Sequence, residues 1–353
     1  MTVGMRKLSI AGLAVGTRAL FSLPEPARRT IAGRPIVVEG QQLDVDMQLL
    51  LRLQRWTGRG LEHTTAEHAR REVAEGDAII RGPLVRPVAT RTLPLPAERA
   101  ARLYVPEERA PGRGLLIYYH GGGWTVGDLD SHDNVCRFLA KHAGVSVLSA
   151  NYRLAPEHRF PAAAHDVFAA FRWAVAHADE LGIDPDAIAV GGDSAGGNLA
   201  IVSALQAVEA GGPRPAYQLL FYPATDLTAR RPSRQRYAER FFLTEETMNW
   251  YEANYADGAD KSDRLLSPML APDLSGMPPA YLATAGFDPL RDEGEAFGSR
   301  LAEAGVPVTH RRFEDLIHGY VNFFGFSRRA REALGDAALA LHRAIGVRAK
   351  DRT

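Results

Sequence analysis

The stretch Ile188-Ala189-Val190-Gly191-Gly192-Asp193-Ser194-Ala195-Gly196-Gly197-Asn198-Leu199-Ala200 decides the fold. It places a G-x-S-x-G pentad between a short apolar run and a helix-like segment, the pattern of a strand, a sharp turn and a helix. Gly192 and Gly196 flank Ser194, as a tight turn needs if it holds one serine in a strained, exposed position. The helix would begin near Ala195, where free backbone N–H groups and the helix dipole favour an anion. The stretch therefore predicts a serine presented as a nucleophile, although a glycine-rich turn without function shares the pattern.

A second glycine cluster precedes this turn. His120-Gly121-Gly122-Gly123-Trp124, which we call the HGGGW loop, follows the apolar run Leu115–Tyr119. It lies upstream of the serine, where a loop that binds an oxyanion is expected. Three consecutive glycines carry an entropic cost that a simple flexible turn would not require. Two such motifs in this order indicate a catalytic site more strongly than either motif alone.

Short apolar runs alternate with helical patterns after residue 87, which indicates a mostly parallel sheet covered on both faces. The predicted strands are Val88–Leu95, Arg102–Pro106, Leu115–Tyr119, Val145–Ser149, Ile188–Val190, Gln218–Tyr222, Ala280–Thr284 and Val308–Phe313. The predicted helices are Ser131–His142, Pro161–Ala178, Ala195–Ala210, Glu293–Ala304 and Arg328–Ile345. The fold class is therefore α/β, with an eight-stranded sheet flanked by helices.

Two segments lack this alternation. Residues 1–86 read as helices and loops, with an apolar face at Leu43, Met47, Leu50 and Leu51. The connection at about 224–278 is too long for a linker between neighbouring elements and contains a helix pattern from Thr244 to Tyr255. We predict that both segments form a helical cap over a catalytic domain that spans residues 87–353.

Several motifs together resemble the hormone-sensitive-lipase family of α/β-hydrolase esterases. They are the HGGGW loop, Asn151–His158, the GDSAGG turn around Ser194, Asp288–Glu293 and His318–Tyr320. The resemblance spans Val88 to the C-terminus and implies the α/β-hydrolase fold with a cap. It also implies that the backbone N–H groups of Gly122 and Gly123 join that of Ala195 in an oxyanion hole.

The resemblance gives the neighbouring motif residues supporting roles. His120, Gly121 and Trp124 are expected to fix the shape of the HGGGW loop, and His120 is not expected to act as a base. Asp193 places the chain among family members with a GDSAG turn, and its predicted role is to hydrogen-bond the turn and the loops around it.

A serine hydroxyl needs an adjacent base, and the base needs an acid that holds its tautomer. The predicted acid is Asp288, which follows the apolar run of the seventh strand and so lies where catalytic loops of a parallel sheet gather. Asp292 and Glu293 would instead complement the dipole of the next helix. Asp315 is the remaining alternative, because it lies near the predicted base.

Three histidines follow Asp288. His318 lies in a loop between the last strand and the final helix, the position of the triad histidine in this fold. His310 lies within the last strand, and His342 lies inside the final helix pattern. The predicted triad is therefore Ser194, His318 and Asp288.

Composition excludes several other classes of protein. Lys+Arg and Asp+Glu are both 42, so net charge gives no reason to expect nucleic acid or an anionic membrane as a partner. The only cysteine, Cys136, rules out an internal disulfide and suits the cytoplasm. No H-E-x-x-H pattern occurs, and we predict no metal and no cofactor.

Residues 1–23 carry Arg6 and Lys7 before a mildly apolar run, which faintly resembles a signal peptide. Arg18 interrupts the run and no clear cleavage site follows, so we favour an amphipathic cap helix. No run approaches the length of a membrane span.

The sequence thus predicts a serine carboxylesterase that cleaves short- to medium-chain acyl esters, a small-molecule substrate, through an acyl-enzyme. An amidase or lactonase would use the same residues. A ligand-binding relative would have lost the histidine, which is present here. The resemblance is also compatible with a homodimer formed through the last strand or helix.

Overall fold

The computed structural model describes residues 3–57 and 64–347. A two-stranded hairpin, β1 (Val37–Val38) and β2 (Gln41–Gln42), precedes the main sheet. The sheet itself is built from β3 (Val88–Leu95), β4 (Arg99–Pro106), β5 (Leu115–Tyr119), β6 (Ser146–Ala150), β7 (Ile188–Asp193), β8 (Tyr217–Phe221), β9 (Ala280–Phe287) and β10 (Val308–Ile317). The prediction of eight strands is confirmed.

The strand order is β10-β9-β8-β7-β5-β6-β4-β3. The six strands from β10 to β6 are parallel, whereas β4 and β3 add antiparallel pairings at one edge. Because β6 and β7 lie on opposite sides of β5, the chain reverses its direction of travel across the sheet at this point. Open α/β sheets bind ligands outside the carboxyl ends of the strands at such a switch point.

Side chains of β5 show why the sheet has a core on each face. Leu115, Ile117 and Tyr119 enter one apolar cluster, while Leu116 and Tyr118 enter the other. This alternation follows from the two-residue repeat of a strand, and all five residues are buried. A continuous apolar run is therefore what a strand covered on both faces requires.

Helices supply the two outer layers. They are α1 (Val3–Phe21), α2 (Glu25–Ala32), α3 (Val45–Thr57), α4 (Ala66–Ile80), α5 (Asp133–Ala143), α6 (Ala162–Ala176), α7 (Ala178–Leu181), α8 (Ala195–Glu209), α9 (Pro232–Arg236), α10 (Glu245–Tyr255), α11 (Arg291–Glu303) and α12 (Arg328–Leu341), the last continued by a π-helical turn at His342–Gly346. Helices α6, α8 and α11 pack on one face, and α5 and α12 pack on the other.

The predicted helix Pro161–Ala178 is wrong in one respect, because His177 separates α6 from α7. The hairpin β1–β2 and the short helix α9 were not predicted, since segments this short carry no periodic signal.

The part of the first 86 residues that the structure describes contains the four helices α1 to α4, the β1–β2 hairpin and connecting loops. The predicted apolar residues Met47, Leu50 and Leu51 of α3 are buried, and so is Leu43, two residues before that helix. In α1, Ala14 and Phe21 are buried while Leu13 and Val15 are exposed, so its apolar residues do not keep to a single face. Residues 1 and 2, the start of the predicted cap helix, lie outside the described residues.

The connection at 224–278 contains α9 and α10, and no strand occurs in this stretch, all of which the structure describes. Its buried residues enter both apolar clusters: Tyr237 and Phe241 join the cluster that contains α5 and α12, and Leu243 and Met248 join the other. Residues 224–278 thus pack on the sheet domain rather than extending away from it.

Candidate active site

Ser194 lies at the turn between β7 and α8, at the carboxyl end of a central strand. Its backbone has φ 56° and ψ −120°, a region that non-glycine residues avoid at a cost of about 1–3 kcal/mol. The turn is held by a hydrogen bond of 2.9 Å from the Ser194 N–H to the Phe221 carbonyl of β8. The side chain is partly exposed although the residues on both sides are buried.

Gly196 shows why this turn demands glycine. A Cβ built there would lie within 3.0 Å of the backbone carbonyl oxygens of Tyr119 and His120, where real Cβ atoms are essentially never found. The first turn of α8 therefore packs directly on the end of β5. This close approach brings the nucleophile turn and the HGGGW loop side by side.

The three predicted triad side chains form one hydrogen-bonded chain. His318 Nε2 lies 3.0 Å from Ser194 Oγ, and His318 Nδ1 lies 2.8 Å from Asp288 Oδ2. Asp288 is fully buried, and its other oxygen accepts a 2.8 Å hydrogen bond from the Leu290 N–H. If Nδ1–H donates to Asp288, the lone pair of Nε2 is free to accept the hydroxyl proton of Ser194.

The three alternative acids, Asp292, Glu293 and Asp315, hydrogen-bond or pair with other groups than His318. Asp292 accepts from the Ser233 N–H and from Arg291. Glu293 accepts from the Thr225 N–H, and Asp315 pairs with Arg329.

The alternative histidines are engaged as well. His310 Nε2 lies 3.1 Å from Thr284 Oγ1, on the surface of β10. His342 Nδ1 contacts the Ala143 carbonyl at 2.9 Å. Neither lies in the chain of hydrogen bonds that ends at Ser194.

The HGGGW loop follows β5 and so lies beside the turn that follows β7. The N–H of Gly121 donates to Asp193 Oδ1 at 3.0 Å, which ties the loop to the residue before the nucleophile. Among the described residues, no protein acceptor receives the backbone N–H groups of Gly122, Gly123 or Ala195. Unpaired N–H groups next to a nucleophile are what an oxyanion hole provides.

His120 supports the loop from within the core. Its ring stacks on Tyr152 with centroids 4.5 Å apart, and its Nδ1 donates to the Gly121 carbonyl at 2.8 Å. Burial lowers the pKa of His120 to about 4, so the ring is neutral at pH 7. Its hydrogen-bond partners are Gly121 and Tyr152, and no hydrogen bond joins it to Ser194 among the described residues.

Asp193 lies at the centre of a buried polar cluster. The sequence predicted only that it would hydrogen-bond the turn and the loops around it. Besides Gly121, its Oδ1 accepts from the hydroxyl of Tyr118 at 2.8 Å and from His132 Nε2 at 3.1 Å. Burial would raise the pKa of Asp193, but His132 and the hydrogen bonds hold it below its ordinary value of 3.8. Burial would lower the pKa of His132, but the carboxylate raises it above 6.5. Between pH 3.8 and 6.5 both groups are therefore charged and form a buried ion pair.

Sequence reasoning missed His132 because it lies 61 positions before Asp193, and no local pattern links the two. It also lies 3.3 Å from Asn322, four residues after His318. Asn198, in the first turn of α8, donates its amide N–H groups to the carbonyls of Ala224 and Leu266, which ties two points of the 224–278 connection to that helix.

Aromatic residues of the 224–278 connection lie over the two loops of the site. The ring of Tyr251 lies so close to Gly123 that a Cβ there would overlap it, and Gly123 has a φ of 55°. The Phe242 ring lies against Gly319, the residue after His318. Residues of α10 and of the segment before it thus contact the HGGGW loop and the residue after His318.

A cavity of about 480 Å³ lies beside the HGGGW loop. Arg70, His120, Tyr152 and Glu157 are among its lining residues, and Ser194 is not. Its lining mixes acidic and basic side chains, and Arg70 and Glu157 already pair with each other. The cavity is therefore separate from the reacting atoms.

Within residues 3–57 and 64–347, no group of three or more His, Cys, Asp or Glu side chains is arranged to hold a metal ion. None of the helices in that part of the chain is both long and apolar enough to cross a membrane.

Comparison with known proteins agrees with this geometry. Residues 116–322 match the model of a family described as having the alpha/beta hydrolase fold. The chain is 45% identical over 328 residues to the carboxylic ester hydrolase LipN of Mycobacterium tuberculosis, which covers 88% of this chain and 85% of that protein. It is 40% identical over 277 residues to an ethyl acetate hydrolase of Pseudomonas putida, covering 76% of this chain and 87% of the relative.

Solved structures with a similar fold also include ester hydrolases. An ester-hydrolase from the metagenome of Lake Arreo, in complex with a derivative of bipyridine phosphonate, superposes with a TM-score of 0.80 at 40% identity. The match covers 85% of this chain and 97% of that structure. A hyperthermophilic esterase from the archaeon Pyrobaculum calidifontis gives a TM-score of 0.78 at 38% identity, covering 85% and 98%.

Proposed function

Since the chain belongs to the alpha/beta hydrolase fold family, we propose that it hydrolyses carboxylic esters through an acyl-enzyme formed on Ser194. The family prediction made from the motifs is confirmed, and the relatives named above are ester hydrolases. The observation that carries the proposal for this chain is the hydrogen-bonded chain from Ser194 through His318 to Asp288.

In the proposed mechanism, Ser194 Oγ attacks the ester carbonyl carbon while its proton passes to His318 Nε2. The carbonyl oxygen becomes an oxyanion, and the tetrahedral intermediate collapses when His318 returns the proton to the leaving alcohol. A water molecule then repeats the sequence on the acyl-enzyme, giving the free acid and regenerating Ser194. Asp288 holds the Nδ1–H tautomer and stabilises the imidazolium that forms twice in each cycle.

We assign the oxyanion to the N–H groups of Gly122, Gly123 and Ala195. Each donor of this kind typically lowers the barrier by about 3 kcal/mol. The assignment is supported by the lack of any protein acceptor for these groups among the described residues. Ala195 adds the first turn of α8, whose dipole also favours negative charge.

We further propose that residues 1–86 and 224–278 form a cap over the site. Tyr251 and Phe242 support this, because they contact the residues next to the oxyanion donors and next to His318. Aromatic rings at the entrance favour a substrate of limited size, which is the basis for proposing short- to medium-chain acyl esters. A series of p-nitrophenyl esters from acetate to laurate tests the preference, and a maximum at laurate would contradict it.

The proposed cellular setting is the cytoplasm, which suits a single buried cysteine, Cys136. A homodimer is proposed through β10, which is an edge strand and, among the described strands of the main sheet, pairs with β9 alone. Light scattering coupled to size-exclusion chromatography measures the oligomeric state, and a monomer at all concentrations would contradict the dimer.

The direct test of the reaction is hydrolysis of p-nitrophenyl butyrate. The wild-type protein should release p-nitrophenol, and Ser194→Ala should abolish turnover with an unchanged thermal unfolding midpoint. Ser299→Ala is the matched control, because Ser299 is an exposed serine of α11 whose hydroxyl donates to the Glu295 carbonyl of the same helix. Turnover retained by Ser194→Ala would overturn the assignment.

A further inference from the structure

Arg70 connects helix α4 to the segment that follows the HGGGW loop. Its Nε donates to the Thr125 carbonyl at 2.8 Å, and its NH2 group donates to the Ala155 carbonyl at 2.7 Å. The same guanidinium pairs with both oxygens of Glu157, at 2.9 and 2.6 Å. One side chain of residues 1–86 therefore holds two backbone carbonyls and a carboxylate of the catalytic domain.

The carbonyls that Arg70 holds belong to the frame of the HGGGW loop. Thr125 is fully buried, its hydroxyl donates to the Gly123 carbonyl at 2.9 Å, and its N–H donates to the Gly122 carbonyl at 3.0 Å. The N–H of Ala155 donates to the Trp124 carbonyl at 2.9 Å. The two residues whose carbonyls Arg70 binds, Thr125 and Ala155, are thus the same residues whose donors hold the carbonyls of Gly122, Gly123 and Trp124.

We propose that Arg70 is a positioning residue that holds the HGGGW loop in the geometry that binds the oxyanion. The planar guanidinium suits this task, because its donors diverge in one plane and reach three acceptors at once. A lysine at the same place would offer one compact charge and could not span them. The inference rests on the proposed function, since it concerns the same oxyanion.

The proposal assigns the N-terminal segment a role in the chemical step rather than only in covering the entrance. An oxyanion hole is effective only when its donors are fixed before the charge forms. Loosening the loop should weaken binding of the tetrahedral species while leaving ground-state binding of the substrate nearly unchanged.

Two inhibitors of the same chain length separate these effects. An alkyl trifluoromethyl ketone accepts Ser194 Oγ at its carbonyl carbon, the hydroxyl proton moves to His318, and the ketone oxygen becomes an oxyanion. The corresponding trifluoromethyl alcohol has no carbonyl for Ser194 to attack, so it binds without forming an oxyanion. For Arg70→Met, the inhibition constant of the ketone should rise by about tenfold to a hundredfold, in step with the loss of kcat on p-nitrophenyl butyrate. The inhibition constant of the alcohol should stay within about twofold.

Matched variants guard against a general loss of structure. Arg71→Met removes the neighbouring arginine of α4, which is exposed and, among the described residues, pairs only with Glu67 in the same helix, and it should leave both constants within about twofold. Glu157→Gln removes the charge partner but keeps both carbonyl contacts, and should cost less than about threefold. Arg70→Lys should give an intermediate loss, and it replaces Arg70→Met if the methionine variant does not fold.

The outcomes are distinguishable. If the wild type binds the ketone tightly and both Arg70 variants, folded, bind it equally tightly, the inference is overturned while the proposed function stands. An equal loss of affinity for ketone and alcohol would also overturn it, because the effect would then be on the pocket as a whole. If the wild type neither hydrolyses the ester nor binds the ketone, both proposals are overturned.

Discussion

Replacing Asp193 by asparagine removes a buried negative charge immediately before the nucleophile. The amide keeps the shape of the carboxylate and can still accept from Tyr118 and Gly121, but it leaves His132 without a counter-charge. The two side chains of the pair are only 6% and 4% exposed, so water cannot replace the lost partner. Breaking a buried ion pair in this way costs about 3–5 kcal/mol. Because His132 can release its proton instead of staying charged, we expect a loss near the lower end, about 3 kcal/mol.

The assay is urea unfolding followed by circular dichroism, with Asp193→Asn, His132→Gln and the double variant forming a cycle. Residues in direct contact should show a coupling energy well above the roughly 0.5 kcal/mol expected of independent sites. Asp273→Asn is the control, because that carboxylate is exposed and its hydrogen bonds within the described part of the chain are to Ser275 alone. A loss below about 1 kcal/mol for Asp193→Asn, with additive single variants, would refute the argument.

The same pair predicts a pH window. The folded-state pKa of Asp193 is lowered, so its stabilisation is present above 3.8 and disappears as pH falls through the folded value. The folded-state pKa of His132 is raised, so its stabilisation is complete below 6.5 and disappears as pH rises through the folded value. The stability gap between wild type and Asp193→Asn should therefore be largest between pH 3.8 and 6.5 and should narrow in alkali.

Three further predictions concern other buried positions. Asp288→Asn should lower kcat by about ten-thousandfold without unfolding the protein, because the amide favours the wrong tautomer of the base; activity within tenfold of wild type would contradict this. Gly196→Ala should prevent folding or sharply lower the unfolding midpoint, since its Cβ would collide with a backbone carbonyl, whereas Gly212→Ala, with no atom within 4 Å of its Cβ, should not. Burial raises the pKa of Glu293 to about 8, so wild-type stability should fall as pH rises from 4.5 to 8. Urea unfolding at several pH values measures the slope of the unfolding free energy against pH. Glu293→Gln should reduce that slope by the contribution of about one proton, and an unchanged slope would contradict the prediction.

Much of the fold was predictable because its signals are local. The runs at β5 and β7 are continuous and apolar, and the turns that follow them are marked by glycines. Residues at strand ends of a parallel sheet meet at one edge, so the order of Ser194, Asp288 and His318 along the chain was enough to predict their convergence. The structure brings the three side chains into hydrogen-bond range, while their roles in the reaction remain a prediction.

Other parts of the site depend on contacts between distant segments. Arg70 meets Thr125 and Glu157 across 55 and 87 positions, and His132, the residue before α5, meets Asp193 at the end of β7. Sequence periodicity and spacing do not predict these long-range contacts, because each contact depends on how whole elements pack together. The same reason explains why the positions of Tyr251 and Phe242 over the site could not be read from the sequence.

Reaction of the protein with a fluorophosphonate, followed by peptide mass spectrometry, directly identifies the nucleophile. A Ser194 nucleophile activated by His318 predicts one adduct, on the Oγ of Ser194, that disappears in Ser194→Ala and forms far more slowly in His318→Asn. An adduct on another residue, or no adduct on an actively hydrolysing protein, would contradict it.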